Sequence, residues 1–157
     1  MEQRINIYEK AHEAMKPIFG LSAYLAKSSV EQSLRELIYF RVSQINGCAY
    51  CLDMHSKDLR AAGETEQRLY MLDAWRETSF YSERECAALV WAESVTKITE
   101  GHVPDEIYEE ARKQFSEAEL IDLTMAVIII NSYNRINIAF RIKAGTYTVG
   151  QHAALLK

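Results

Sequence analysis

The sequence predicts an all-α fold of about six to eight helices in one domain spanning residues 1–157. Three observations carry this expectation. The chain has only six glycines and two prolines among 157 residues, under half the usual share of roughly 12%. It therefore spends little on turns, and an all-β barrel or sandwich is disfavoured. Apolar residues recur at helical spacing, as in Leu34, Leu37, Ile38, Val42 and Ile45. Two S-x-x-E capping boxes, Ser82 with Glu85 and Ser116 with Glu119, mark helix starts. A composition of 48% hydrophobic and 25% charged residues suits a globular chain that buries a core without metal or disulfide staples.

The first helix is expected over residues 2–16, stopping before Pro17, whose ring clashes with a further turn. A short helical or irregular piece follows over 18–26. Ser28 and Ser29 read as an N-cap for a helix over 30–44. Asn46 and Gly47 end it, because both tolerate the left-handed conformation of a helix terminus. The next helix begins at Cys48, runs to about Ala62 and is closed by Gly63. Residues 65–78 form another, carrying Leu69, Leu72 and Trp75 or Arg76 around its faces. Ser82 opens a helix toward Gly101, and Pro104 at the first helical position starts one over 105–115. The helix opened by Ser116 is expected to run to about Ile142. Its segment 126–130 is apolar around the whole circumference and needs cover on every side; a subunit interface is the expected cover, and a central place in the core the alternative.

Several function classes are disfavoured. A net charge of −4 gives no electrostatic footprint for nucleic acid. The longest aliphatic run, 125–130, is far short of the roughly 20 residues that cross a bilayer. The N-terminal stretch carries Glu2, Glu9 and Glu13 and lacks an apolar core segment, so it reads as neither secretory signal nor transit peptide. A cytoplasmic protein is expected. Three cysteines, two of them in a C-x-x-C pair, do not resemble a secreted disulfide framework and point to redox chemistry or metal binding.

The distinctive segment is Cys48-Ala49-Tyr50-Cys51-Leu52-Asp53-Met54-His55. On a helix Cys48 and Cys51 are at i and i+3, and Cys51 and His55 at i and i+4, so all three share a face. The position after Gly47 puts the pair in the first turn, where unpaired backbone N–H groups and the helix dipole favour a thiolate. That argument makes Cys48 the more acidic thiol. An imidazole one turn on can take or return a proton. A C-x-x-C pair also serves zinc or plain packing. Zinc would need a fourth ligand beyond Cys48, Cys51 and His55, and Cys86, His12, His102 and His152 are single residues without helpful spacing. Neither metal nor cofactor is expected. Cys86 reads as a small core residue. Glu36 lies off the apolar stripe of its helix, near Tyr39, Phe40 and Ser43, and is a candidate for proton transfer at neutral pH. The turn at Asn46 and Gly47 would fold it toward Cys51. A solvated surface Glu is the alternative.

Glu36, eleven intervening residues and then Cys48-x-x-Cys51-x-x-x-His55 resemble the motif of the alkylhydroperoxidase D-like (AhpD-like) branch of the carboxymuconolactone decarboxylase superfamily. The run from Arg35 to Cys51 and the pattern Trp91-Ala92-Glu93-Ser94-Val95-Thr96 extend the likeness. The resemblance implies an all-helical subunit that assembles as a trimer or hexamer, and a thiol-dependent peroxidase. Its substrates would be hydrogen peroxide or small organic hydroperoxides. By that resemblance Cys51 attacks the peroxide, Cys48 resolves it to a disulfide, Glu36 and His55 move the protons, and an external dithiol restores the thiols. In the best-known peroxidase of the branch a His precedes the second cysteine; here that place holds Tyr50. The alternatives are a redox-responsive oligomeric binding protein and a general disulfide reductase.

Overall fold

The helical periodicity resolves into eight α-helices in a computed structural model that describes residues 2–152, with no strand among them. In chain order they are α1 (Ile7–Lys10), α2 (His12–Leu25), α3 (Gln32–Asn46), α4 (Ala49–Ala61), α5 (Glu66–Met71), α6 (Glu83–Thr96), α7 (Asp105–Gln114) and α8 (Glu117–Phe140). Two 3-10 helices, Leu72–Glu77 and Ile98–Glu100, follow α5 and α6. Among the described residues no helix is long and apolar enough to cross a membrane.

The centre of the fold is α3 against α8, with α4 and α6 on either and α2 laid along α8. Leu123, Val127 and Ile130 of α8 join Leu37, Ile38 and Leu89 in the main core. Ala126 and Ile129 turn to a second cluster, with Leu25, Ile18 and Leu21 of α2. Each fully buried Leu, Ile or Val among them contributes roughly 1.5–3 kcal/mol. The apolar girth of 126–130 is thus largely met inside the chain. Ile128 is the exception, at 43% exposed.

Local rules were overridden in several places. Pro17 lies inside α2, whose start at His12 follows a break at Ala11. The hydrogen bond that Pro17 forgoes would go to the carbonyl of Glu13, an exposed residue, where the loss is cheap. Ser28 and Ser29 do not cap α3, which begins two residues later than expected behind Glu31. Their hydroxyls bond elsewhere, Ser28 accepting from Arg35 and Ser29 donating to Asp122. The helix expected over 65–78 tightens after Met71 into a 3-10 turn, with Ala74 outside helical conformation. That turn delivers Asp73, Trp75 and Arg76 to an ion pair between the buried Arg41 and the half-buried Glu93. Arg41 of α3 bonds Glu93 of α6 at 2.8 Å and also holds Asp73, while the Trp75 indole and Arg76 donate to Glu93. Pro104 is the N-cap rather than the first residue of α7, and α8 ends at Phe140 with Arg141 left-handed at φ 55°.

Both capping boxes form. At α8, the Glu119 N–H donates to Ser116 Oγ at 3.2 Å and the Ser116 N–H donates to Glu119 at 2.8 Å. Arg84 adds an ion pair at 2.7 Å. The Ser116 backbone hydrogen bond, then the Ser116 hydroxyl and Arg84, hold the Glu119 carboxyl down at about 2, from an ordinary 4.5. A carboxyl depressed in the folded state stabilises above its unfolded pKa and loses that contribution as pH falls through the folded one. Glu119→Gln can keep the cap but not the charge. It is expected to melt about 2–4 °C below wild type near pH 7. The gap should close between about pH 4.5 and 2. Thermal melts across that range check it; a gap that does not change with pH would assign the effect to packing.

Candidate active site

The site is built at the reversal between α3 and α4. Gly47 takes the left-handed conformation at φ 68° and ends α3. Cys48 then serves as N-cap of α4, its Sγ accepting the Cys51 N–H at 3.4 Å. Cys48 and Cys51 are joined in a disulfide, with Cα atoms 5.3 Å apart, and both are buried. One turn on, His55 is 5% exposed. Its Nδ1 lies 2.8 Å from Glu36 Oε2, and the Tyr39 ring tilts against the imidazole at 5.3 Å. The turn therefore brings Glu36 to His55 rather than directly to Cys51. With Nδ1–H donating to the carboxylate, Nε2 is left as the basic nitrogen. That Nε2 is buried and has no hydrogen-bond partner among the described residues. A buried polar atom without a partner needs an explanation, and a functional role is a common one.

A cavity of about 850 Å³ gathers Glu36, Cys51 and His55 with Tyr8, Tyr39 and Tyr50. Of the two disulfide residues, Cys51 lines the cavity and Cys48 caps the helix. Further side chains here have no local signal in the sequence. Asn137 of α8 donates from Nδ2 to Cys51 Sγ at 3.3 Å, and the Tyr8 hydroxyl donates to Asn137 Oδ1 at 2.8 Å. Asn137 is the last of three inward-facing asparagines on α8. Asn131 and Asn134 accept from Asn46 Nδ2 at 2.9 and 2.8 Å, and Asn134 donates to Ser43. This ladder ties the α3–α4 turn to α8. Tyr50 bonds His152 Nε2 at 2.8 Å. The segment that carries His152 is held over the cavity by Asp53 (from Gly145 N–H), Asp58 (from the Tyr147 hydroxyl) and Lys57 (to the Tyr147 carbonyl). Burial lowers the His152 pKa. Cys86 is free and packs at the edge of the main core, where burial pushes its thiol pKa up. Among the described residues no cluster of His, Cys, Asp and Glu is placed to hold a metal ion.

The model of the carboxymuconolactone decarboxylase family matches residues 12–94, the stretch that holds Glu36, Cys48, Cys51 and His55. The chain belongs to the carboxymuconolactone decarboxylase family. Within the family it falls in the AhpD-like branch. It is 47% identical over 146 residues to the uncharacterized protein YdfG of Bacillus subtilis, covering 93% of this chain and 99% of that one. It is 37% identical over 59 residues to alkyl hydroperoxide reductase AhpD of Mycobacteroides abscessus, covering 38% and 33%. The crystal structure of ATU0492 from Agrobacterium tumefaciens, a protein of unknown function described as a candidate antioxidant defence protein AhpD, superposes with a TM-score of 0.89. That match has 40% identity and covers 93% of this chain and 100% of the other. The all-helical architecture of the described residues is the AhpD-like one.

Proposed function

We propose that this AhpD-like protein is a thiol-dependent peroxidase that reduces hydrogen peroxide or small organic hydroperoxides through the Cys48–Cys51 pair, with Glu36 and His55 moving protons. The observation that carries the reading is the convergence of Cys51 and His55 on one cavity, with Glu36 on one imidazole nitrogen and the other, Nε2, without a partner among the described residues.

In the reduced protein His55 Nε2 takes the Cys51 thiol proton. The thiolate attacks the nearer peroxide oxygen; an S–O bond forms, the O–O bond breaks and the sulfur is oxidised by two electrons. The leaving oxygen recovers the proton from His55 and departs as alcohol, or as water when the substrate is hydrogen peroxide. The Glu36 carboxylate supports the transient imidazolium, as an acid beside a catalytic His does elsewhere. Cys48 then displaces the hydroxyl of the Cys51 sulfenic acid, giving the disulfide and water. An external dithiol returns both thiols by two exchanges and is itself oxidised to a disulfide. Such a donor suits a reducing, cytoplasmic setting.

The cavity, at about 850 Å³, is far larger than hydrogen peroxide needs, which supports organic hydroperoxides among the substrates. Consumption of cumene hydroperoxide and of hydrogen peroxide with dithiothreitol as donor tests the reading. Multiple turnovers with both are expected, faster with the organic substrate. Consumption that stops at one equivalent per chain would leave the redox-responsive binding protein in its place. Assembly as a trimer or hexamer belongs to the same proposal, supported by the exposed Ile121, Ile128 and Ile138 of α8. Light scattering on the same preparation reads it, and a monomer mass would remove it.

A further inference from the structure

We propose that Asn137 is the positioning residue that holds Cys51 as a thiolate, and that Tyr8 sets which end of its amide faces the sulfur. The inference rests on Cys51 being the attacking thiol, and adds what makes it so. A helix N-terminus by itself favours Cys48, and the Cys51 N–H is already bonded to Cys48 Sγ. The Cys51 sulfur therefore needs a donor from another element.

Asn137 supplies one. It is 4% exposed and reaches across from α8, with Nδ2 at 3.3 Å from Cys51 Sγ. An amide has a donor end and an acceptor end, and only the donor end stabilises a thiolate. Tyr8 decides between them. Burial keeps its phenol protonated, well above its ordinary pKa, so the hydroxyl donates to Asn137 Oδ1 at 2.8 Å. The amide N–H₂ is then turned to the sulfur. A hydrogen bond to the charged form lowers a pKa.

The other titratable groups on the cavity make such a donor necessary. The carboxylates Glu36, Asp58 and Glu64 oppose a second negative charge. Burial lowers the pKa of His152, which keeps that imidazole neutral, and His55 receives the thiol proton in the proposed cycle. The phenols of Tyr39, Tyr50, Tyr133 and Tyr147 are raised by burial and stay uncharged. Among the described residues no Lys or Arg lines the cavity.

The test reads the thiol without any peroxide, so it does not depend on turnover. In reduced Cys48→Ser protein, the rate of iodoacetamide alkylation at Cys51 is followed against pH by peptide mass spectrometry, with Cys86 as internal reference. Adding Asn137→Ala is expected to raise the Cys51 midpoint by about one to two pH units, as loss of a hydrogen bond to a charged group should. Tyr8→Phe should shift it the same way by less, and Cys86 should not move. A purely structural role for Asn137 would lower the melting temperature and leave the midpoint in place, and that result overturns the proposal. Should Asn137→Ala fail to fold, Tyr8→Phe, at a half-buried position, carries the test alone: no shift overturns it. A shift here, with no peroxide turnover by the wild-type protein, would keep this inference and remove the peroxidase reading.

Discussion

Cys51→Ser is expected to abolish peroxide turnover, a loss on the order of 10⁴-fold or more, whereas Cys48→Ser should stop after one round. A serine hydroxyl is not ionised near neutral pH, and its oxygen cannot accept the peroxide oxygen as sulfur does. Cys51 is the disulfide residue that lines the cavity and touches Asn137. Cys48 sits behind it at the helix cap, bonded to the Cys51 N–H. Without Cys48 the first attack survives and nothing resolves the product, so a sulfenic acid accumulates at Cys51. Dimedone should label Cys51 in Cys48→Ser, and thiol titration of wild type after mild peroxide should show two thiols lost, with Cys86 still free. Labelling of Cys48 in Cys51→Ser would reverse the roles and give the argument to the helix N-terminus. A mixed disulfide involving Cys86 would remove the two-cysteine cycle altogether.

The second large effect concerns the proton path. Glu36→Gln and His55→Gln are each expected to slow peroxide reduction by at least about tenfold, within the roughly 10²–10⁴ that general acid–base help supplies. Gln at position 36 can still accept from His55 Nδ1–H, so the imidazole keeps its orientation and loses only the carboxylate beside it. Gln at position 55 removes the basic Nε2. The loss should fall on the step with peroxide and spare reduction of the disulfide by dithiol, and stopped-flow measurement of the two half-reactions separates them. Melting temperatures identify any variant whose loss is misfolding, a necessary control because His55 is buried. Rates within twofold of wild type in both variants would mean that the pair holds α3 to α4 and moves no proton.

Much of this protein was legible within single helices. The boxes Ser82 with Glu85 and Ser116 with Glu119 start α6 and α8 as read, because a capping box is complete within four residues. Gly47 ends α3 for an equally local reason, a backbone conformation that suits glycine. The shared face of Cys48, Cys51 and His55 follows from helical spacing alone, and their resemblance to the AhpD-like motif was visible on the same residues. Local rules failed where a more distant partner outweighed them. Pro17 is carried inside α2, Ser28 and Ser29 are taken up by Arg35 and Asp122, and the turn after Met71 bends to reach Arg41 and Glu93.

Tertiary structure alone decided what surrounds the sulfur. Glu36 had two readings in the sequence, solvated or reactive, and its position against His55 depends on how α3 and α4 dock after the turn. Asn137 meets Cys51 across 86 residues, and His152 meets Tyr50 across 102. No periodicity links such positions, so His152 looked isolated and Asn137 gave no signal at all. Whether the apolar girth of α8 belonged to a core or an interface was likewise open until α2 covered Ala126 and Ile129. The physical reason is one of range. Backbone hydrogen bonds, caps and helix faces are settled among residues within about four positions of each other. Which faces meet depends on burying apolar stripes from the whole chain at once, and the polar groups of the site are brought together only as a consequence of that packing.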